Sequence, residues 1–144
     1  MSIVHQITTR SNDDKWATPR DLFNQLDNEF HFDFDPCPID WNPTYPDGLL
    51  IEWKESNFVN PPYSKTKYWI KKSYDEQHKG KLIVMFINVC TDVEAFHEYI
   101  YNKPNVEVRF IKGRLRFTNP NRPECKSKNM KGSMLVIFYP CIII

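Results

Sequence analysis

Hydrophobic spacing in the first part of the chain predicts one helix and then two short strands. An apolar stripe at helical spacing follows Thr18-Pro19, a pair typical of an N-cap with proline at the first helical position, so we expect a helix over 19–29. Residues 31–35 alternate phenylalanine with polar side chains and stop at a proline, which predicts a strand. Phe58-Val59 predict a strand that ends where consecutive prolines forbid further pairing. The helical stripe consists of Leu22, Phe23, Leu26 and Phe30.

Helix and strand patterns alternate through the middle of the chain. Residues 65–78 predict a helix that Gly80 terminates, and 92–102 repeat apolar residues at helical spacing. The continuous apolar run 81–87 is typical of a central parallel strand buried on both faces, and 105–111 return to strand alternation. This β-α-β-α-β order predicts an α/β fold with a mostly parallel sheet and helices on both faces.

Two further strand patterns enclose a polar stretch near the end of the chain. Residues 114–117 and 133–139 are strand-like, and we expect them to pair as an antiparallel hairpin at the edge of the sheet. The intervening residues 118–132 are then a basic loop, and loops of that length in compact domains are usually functional or disordered.

Charge is distributed unevenly although the net charge is only +1. Residues 1–60 contain eleven acidic and four basic residues, whereas 103–131 contain nine basic residues and two acidic ones. A polyanion would prefer the second region. The alternative is a solvated basic loop that contacts nothing.

Length and composition favour one soluble domain. The 144 residues suffice for a single core, which we assign to 16–144, with polar residues 1–15 as a flexible arm. The four cysteines lack metal-ligand spacing, so we expect reduced thiols and no metal. No signal layout or membrane-spanning apolar run is present, which predicts a cytoplasmic protein.

Candidate chemistry is concentrated in Asn60-Pro61-Pro62-Tyr63, directly after a predicted strand. An amine conjugated to an aromatic ring is a poor nucleophile, and two acceptors aimed at its N–H bonds would draw it toward tetrahedral geometry. The Asn60 side-chain oxygen and the Pro61 carbonyl can supply them, because proline fixes φ and adds no competing donor, while Pro62 stiffens the carbonyl's direction. Tyr63 offers a surface on which a flipped-out base can stack. The alternative is a proline-rich turn with an exposed tyrosine.

Several segments together resemble the phage-type DNA N6-adenine methyltransferases, the Dam family, from about Trp16 to Phe138. The resemblance implies a compact Rossmann-like methyltransferase fold, S-adenosylmethionine as methyl donor, double-stranded DNA adenine as acceptor and Asn60 to Tyr63 as the catalytic loop. It also implies action in the host cytoplasm if the protein is viral. The segments are Trp16-Ala17-Thr18-Pro19, Phe32-Asp33-Phe34-Asp35-Pro36, Asp47-Gly48-Leu49, Trp53, Asn60-Pro61-Pro62-Tyr63-Ser64, Trp69, Thr91-Asp92, Phe96-His97 and Arg109-Phe110-Ile111-Lys112-Gly113-Arg114-Leu115-Arg116-Phe117.

Cofactor contacts follow from the same resemblance. Asp35 looks like the acidic end of the cofactor strand, although strand-end aspartates often only cap a loop. Asp47 suggests a contact with the adenosine half, although it is equally suited to a turn. Larger relatives have a glycine-rich turn where this chain has Pro36-Cys37-Pro38, whose backbone cannot approach a ligand as closely as glycine. We therefore predict weak donor affinity, or a contribution from Cys37, Asp40 and Trp41. The expected donor contacts are Thr18, Pro19, Asp35, Pro36, Cys37 and Asp47.

DNA contacts are expected downstream of the catalytic loop. Alternate arginines on the predicted strand 114–117 would point to one face and reach phosphates together. A small recognition surface suggests a short target or assistance from a homodimer. The predicted nucleic-acid contacts are Ser64, Lys112, Arg114, Arg116, Arg122, Lys126 and Lys128.

Three alternatives remain open from the sequence. An amide nitrogen poses the same electronic problem, so protein glutamine is a possible acceptor, and no residue excludes adenine in RNA. A catalytically degenerate nucleic-acid-binding module would fit the short chain and the missing glycines.

Overall fold

The computed structural model describes residues 17–113, 116–119, 122–128 and 132–142, with backbone placement only for the two ranges between 116 and 128. A 3-10 helix, Tyr63–Lys65, joins the first strand to the second helix. The helices are α1 Arg20–Phe30, α2 Thr66–Gln77 and α3 Glu94–Tyr99. The strands are β1 Ser56–Val59, β2 Leu82–Asn88, β3 Val106–Phe110, β4 Arg116–Asn119, β5 Arg122–Lys128 and β6 Ser133–Phe138.

Four strands form the central sheet in the order β1-β2-β6-β3. β1 and β2 pair in parallel, while β6 pairs antiparallel with both β2 and β3. β1, β2 and β3 therefore run in one direction, and β6 alone of these four opposes them. The α/β class is confirmed, but the sheet is mixed and not mostly parallel, because β6 lies between β2 and β3 and makes both of its pairings antiparallel.

The predicted edge hairpin is wrong. β6 lies inside the sheet, and the segment expected to pair with it instead forms a separate two-stranded sheet, β4 with β5. All six residues of β6 are buried, so this strand needs neighbours on both sides and layers on both faces. The polar β4 cannot provide that environment.

Two local predictions also need correction. In the segment 31–35, only Phe34 forms a ladder pair, a parallel bridge to Asn57 at the outer side of β1. The chain reverses at His31, which has φ 51°, so little length remains before Pro36 stops pairing. The loop predicted over 118–132 contains β5 and the end of β4, a polar ribbon without the hydrophobic alternation that identifies half-buried strands.

Helices cover both faces of the sheet, as predicted. Alternate residues of β2 point to opposite faces, with Val84 and Phe86 in one cluster and Met85 in the other. α1 packs on the first face through Leu26, whereas α2 and α3 cover the second face. The α2–α3 face includes the buried side chains of Trp69, Ile70, Phe96 and Ile100.

A buried carboxylate anchors α2 to the loop before β1. Glu76 is fully buried, and its Oε1 accepts a hydrogen bond from the backbone N–H of Trp53 at 2.5 Å. Lys79 Nζ lies 3.0 Å from Oε2, and Lys72 Nζ lies 3.7 Å from Oε1. Burial acts to raise the pKa of Glu76, but the Trp53 and Lys79 hydrogen bonds together with Lys72 hold it below its ordinary value. The charged form is therefore the one that the fold stabilises.

Parallel strands bring the chemistry-bearing loops to one edge of the sheet. Asn60 follows β1, Asn88 ends β2 and Lys112 follows β3, so all three lie at the carboxyl ends of strands that share a direction. The ribbon formed by β4 and β5, here called the basic hairpin, also leaves the sheet there, between β3 and β6. We call this side of the sheet, marked by Asn60, Asn88 and Lys112, the carboxyl edge.

Candidate active site

The loop after β1 is held at both ends. Asn60 Nδ2 donates a hydrogen bond to Thr18 Oγ1 at 2.8 Å, which connects the loop to the residues just before α1. On the other side, the Pro62 carbonyl accepts from the backbone N–H of Lys65 at 3.0 Å and from the Thr66 hydroxyl at 3.3 Å. Pro61 and Pro62 are buried. The loop is therefore fixed by contacts and by its two proline rings.

The Thr18 contact determines how the Asn60 amide is oriented. Because Nδ2 is engaged by Thr18, the direction of Oδ1 is fixed relative to the loop backbone. Because this oxygen is already oriented in the folded protein, it does not have to reorient when a substrate binds, and its hydrogen bond to the substrate does not incur that energetic cost. The loop can thus present a fixed acceptor to an N–H group.

A cavity of about 380 Å³ lies beside Asn60 on the α1 face of the sheet. Its size falls in the range of small-molecule pockets. The rings of Phe23 and Phe58 form a wall with centroids 5.1 Å apart and planes at 84°. The cavity is lined by Ala17, Thr18, Arg20, Phe23, Asn24, Asp35, Cys37, Ile39, Phe58 and Asn60. It combines an acid, a base, aromatic rings and the Asn60 amide.

Three of the six predicted donor residues line this cavity, namely Thr18, Asp35 and Cys37. Asp35 also serves its own loop, since its Oδ1 accepts from the backbone N–H of Cys37 at 2.9 Å. The alternative capping role is thus present alongside exposure to the cavity. The N-cap of α1 is Pro19 and not Thr18, so the helix begins at Arg20, one residue later than predicted.

Asp47 and Pro36 contact neighbouring loop residues, and neither is among the described residues that line the smaller cavity. Asp47 is buried, its Oδ1 accepts from the backbone N–H of Leu49 at 2.8 Å, and it is absent from the described lining of the cavity. This favours the turn role over a donor contact. A Cβ on neighbouring Gly48 would lie 2.0 Å from the Pro36 carbonyl oxygen, so glycine is required where the two loops touch. The proline loop is therefore packed against a glycine from the next loop.

Tyr63 and Ser64 face a different, larger cavity. It measures about 770 Å³ and lies between α2 and α3, reaching the end of β2 at Asn88. Its lining includes Leu49 and Leu50 beside Tyr63. The loop from Asn60 to Tyr63 therefore contacts two cavities, with Asn60 at the smaller and Tyr63 at the larger.

The predicted nucleic-acid contacts after residue 110 are Lys112, at the carboxyl edge, and residues in or next to the basic hairpin. Lys112 is exposed directly after β3, next to Gly113, whose φ is 84°. In the basic hairpin, Arg116 is the register partner of Lys128. The same register pairs Lys126 with Thr118 and Arg122 with Asn119, whereas Arg114 lies outside the described residues.

Comparison with known proteins now identifies the family. The family model described as DNA N-6-adenine-methyltransferase (Dam) matches residues 5–142. The chain belongs to the Dam family. This confirms the resemblance and places the chain among the adenine-specific DNA methyltransferases.

Two individual proteins, one curated relative and one solved structure, are similar to this chain to different extents. A DNA N-6-adenine-methyltransferase of Haemophilus phage HP1 is 28% identical over 144 residues, covering 92% of this chain and 83% of the relative. Among solved structures, a SAM-dependent O-methyltransferase from Thermotoga maritima is 14% identical with a TM-score of 0.34. That likeness covers 60% of this chain and 34% of the Thermotoga protein.

Several residues that line the smaller cavity of this Dam-family chain were not predicted from the sequence. Arg20 lines the smaller cavity and is exposed at the start of α1, with no acidic partner within 4.0 Å among the described residues. Its place directly after Thr18-Pro19 was a signal that could have identified it. Phe23 and Phe58 were predicted only as apolar positions of a helix and a strand, because apolar periodicity does not distinguish a core position from a cavity wall.

Arg109, which lies in the predicted basic region, is by contrast engaged in hydrogen bonds within the fold. Its guanidinium donates to both carboxylate oxygens of Glu29 at 2.8 Å and, through Nε, to Glu107 at 2.8 Å. The hydrogen bonds to Glu29 and Glu107 raise the pKa of Arg109. Tyr139 donates its hydroxyl to Glu107 at 2.6 Å. In this Dam-family chain, Arg109 therefore ties β3 to α1.

In the part of this Dam-family chain that the structure describes, no three histidine, cysteine, aspartate or glutamate side chains gather in a way that could hold a metal ion. Across the same residues, no helix has the length and apolar character needed to cross a membrane.

Proposed function

We propose that this chain transfers the methyl group of S-adenosylmethionine to the N6 amine of adenine in double-stranded DNA. The carrying observation is the hydrogen bond from Asn60 Nδ2 to Thr18, which orients the catalytic amide at the wall of a ligand-sized cavity. Family membership supports the same acceptor, since the Dam family is that of the DNA N-6-adenine-methyltransferases.

The chemistry of the smaller cavity fits the donor. Arg20, which has no acidic partner within 4.0 Å among the residues that the structure describes, is suited to the donor's carboxylate, and Asp35 can accept from ribose hydroxyls. The Phe23 and Phe58 rings offer faces to the adenine ring or to the sulfonium charge. The bound donor would supply an electrophilic methyl carbon, so no general base is needed to generate a nucleophile.

The protein's part in the reaction is to polarise and orient the acceptor amine. Asn60 Oδ1 and the Pro61 carbonyl accept from its two N–H bonds, which moves lone-pair density from the ring to the nitrogen. Tyr63 stacks on the extruded base, a contact worth about 1–3 kcal/mol. The proton is released late, to solvent. Ser64 and Lys112, with Arg114, Arg116, Arg122, Lys126 and Lys128 of the basic hairpin region, are proposed to hold phosphates around the site.

A direct assay tests the proposed function. Purified protein with radiolabelled S-adenosylmethionine is offered duplex DNA, single-stranded RNA and a glutamine-containing peptide in parallel. We expect label in duplex DNA, recovered as N6-methyladenine after hydrolysis and mass spectrometry. Label found only in RNA or only in the peptide would show that RNA or protein, and not DNA, is the acceptor. If calorimetry detected no heat of S-adenosylmethionine binding, the result would favour the catalytically degenerate nucleic-acid-binding module.

Thr18 gives a sharper prediction about the same site. Thr18→Val keeps the side-chain shape but removes the acceptor for Asn60 Nδ2, so kcat should fall by roughly tenfold, the equivalent of one misoriented hydrogen bond. The KM for the donor should stay within about twofold. Steady-state kinetics with Thr18→Ser as the conservative control, which restores the hydroxyl, checks this. A raised donor KM with unchanged kcat would instead make Thr18 a donor ligand.

A further inference from the structure

Three side chains at the start of α2 have no role in the proposed methyl transfer. Lys65 ends the 3-10 helix that the catalytic loop enters, and Lys67 and Tyr68 follow in the first turn of α2. Lys67 is exposed and Lys65 half-buried, while the Tyr68 ring is 37% exposed. Lys67 Nζ lies 5.2 Å from the centroid of the Tyr68 ring. We call Lys65, Lys67 and Tyr68 the α2 entry surface.

Charge pairing differs between the two ends of this helix. Lys71 pairs with Asp75 at 2.8 Å, and Lys72 and Lys79 both pair with Glu76. By contrast, no acidic oxygen among the described residues lies within 4.0 Å of Lys65 or Lys67. Among the described lysines on this helix and next to it, the two without an acidic partner are therefore those beside the proposed catalytic loop.

The α2 entry surface is rigidly coupled to that loop. The Lys65 backbone N–H donates to the Pro62 carbonyl at 3.0 Å, and the Thr66 hydroxyl donates to the Pro62 and Tyr63 carbonyls at 3.3 and 3.0 Å. The position of Lys65 relative to Tyr63 is therefore fixed by the fold. An exposed aromatic ring beside unpaired cations is the composition of nucleic-acid backbone sites.

We propose that the α2 entry surface binds the phosphates of the DNA strand that carries the target adenine, next to the extruded nucleotide. This rests on the proposed function. Extrusion breaks a base pair and its stacking, so the phosphates that flank the nucleotide need fixed contacts. Those phosphates lie within about one nucleotide of the base, which Tyr63 is proposed to stack.

The arrangement also gives the duplex a second point of attachment. The basic hairpin leaves the carboxyl edge beside β6, which is two strands from β1, or roughly 10 Å at ordinary strand spacing. The α2 entry surface follows the proposed catalytic loop directly along the chain, so the loop has positive charge on α2 beside it in addition to that of the basic hairpin. Glu94 and Glu98 of α3 line the larger cavity, and their negative charge disfavours a phosphate on the α3 side of it.

The test compares two double variants with the same loss of charge. Lys65→Gln with Lys67→Gln removes the proposed contacts, and Lys54→Gln with Lys103→Gln removes two lysines that also lack acidic partners within 4.0 Å in the described structure. The control lysines precede β1 and β3 and so lie at the opposite edge of the sheet. Fluorescence anisotropy with a short labelled duplex measures affinity across a salt series.

The Lys65 and Lys67 variant should lower the slope of log affinity against log salt by about 2, with affinity weakened by tens of fold at 0.1 M salt. The control should change neither value by a comparable amount, and donor binding should be unchanged in both. Equal effects in both variants, or an unchanged slope in the first, would overturn the proposal while wild-type DNA methylation continued. Wild-type protein that neither binds nor methylates DNA would overturn the proposed function as well.

Discussion

Replacing Asn60 with alanine is expected to reduce kcat for methyl transfer by roughly 10²–10³-fold, the cost typical of losing one preorganised electrostatic contact to a reacting group. The change removes Oδ1 and leaves Thr18 without the Nδ2 donor that it accepts from at 2.8 Å. Single-turnover kinetics with saturating donor and DNA isolates this step from binding. Calorimetry should show donor affinity changed by only a few-fold, because Asn60 is one of many residues that line the cavity.

Asn60→Asp is the matched control for this prediction. It retains an acceptor oxygen of nearly the same shape, and the Thr18 hydroxyl can donate to the new carboxylate. It should therefore lose less activity than alanine, with an unchanged thermal unfolding midpoint as evidence that the fold is intact. Equal, small losses in both variants would show that the side-chain oxygen takes no part in methyl transfer.

The sequence was informative about this site where its residues are contiguous. Asn60 to Tyr63 were found because the four residues follow one another directly after a strand. The contact between Asn60 and Thr18 joins residues 42 positions apart, and no local pattern specifies such a partner. Arg20 and Phe23 belong to the cavity only because α1 lies over the ends of the strands.

For the fold, the type of an element could be predicted where burial leaves a recognisable pattern of apolar residues in the sequence. β2 was recognised from its continuous apolar run, and it is buried over five of its seven residues. The place of β6 between β2 and β3 was not, because strand order depends on pairings across the chain and not on any local signal. β5 has no apolar period, so its pairing with β4 could not be distinguished from a loop.

The loop after Asp35 lacks the expected glycines, but a glycine from another loop, Gly48, lies against it. The loop after Asp35 contains prolines where relatives have glycines, which predicted a backbone that a ligand could not approach closely. In the folded chain Gly48 meets the Pro36 carbonyl, so the close approach that glycine permits occurs between two loops of the protein. Asp35 and Cys37, on either side of Pro36, line the smaller cavity together with the aromatic rings of Phe23 and Phe58.

Glu76→Gln is expected to destabilise the protein by about 2–4 kcal/mol at pH 7, because it removes one partner from a buried charged cluster. Glutamine can still accept from the Trp53 N–H, but Lys72 and Lys79 lose the charge that they surround. Urea denaturation of both proteins measures the difference. Asp75→Asn, one residue earlier on the same helix, is the control, since its pair with Lys71 is exposed and worth at most about 1 kcal/mol.

The sign of the pH dependence is fixed by the direction of the Glu76 pKa. Its pKa is lowered in the folded protein, so its stabilising contribution is fully present above the unfolded-state pKa of about 4.3 and is lost as pH falls through the folded value. The free energies of unfolding of wild type and Glu76→Gln should therefore differ most near pH 7 and converge below about pH 4. Curves that stay parallel through this range would mean that Glu76 contributes by packing and hydrogen bonding alone, because a neutral carboxyl would then serve as well as a charged one.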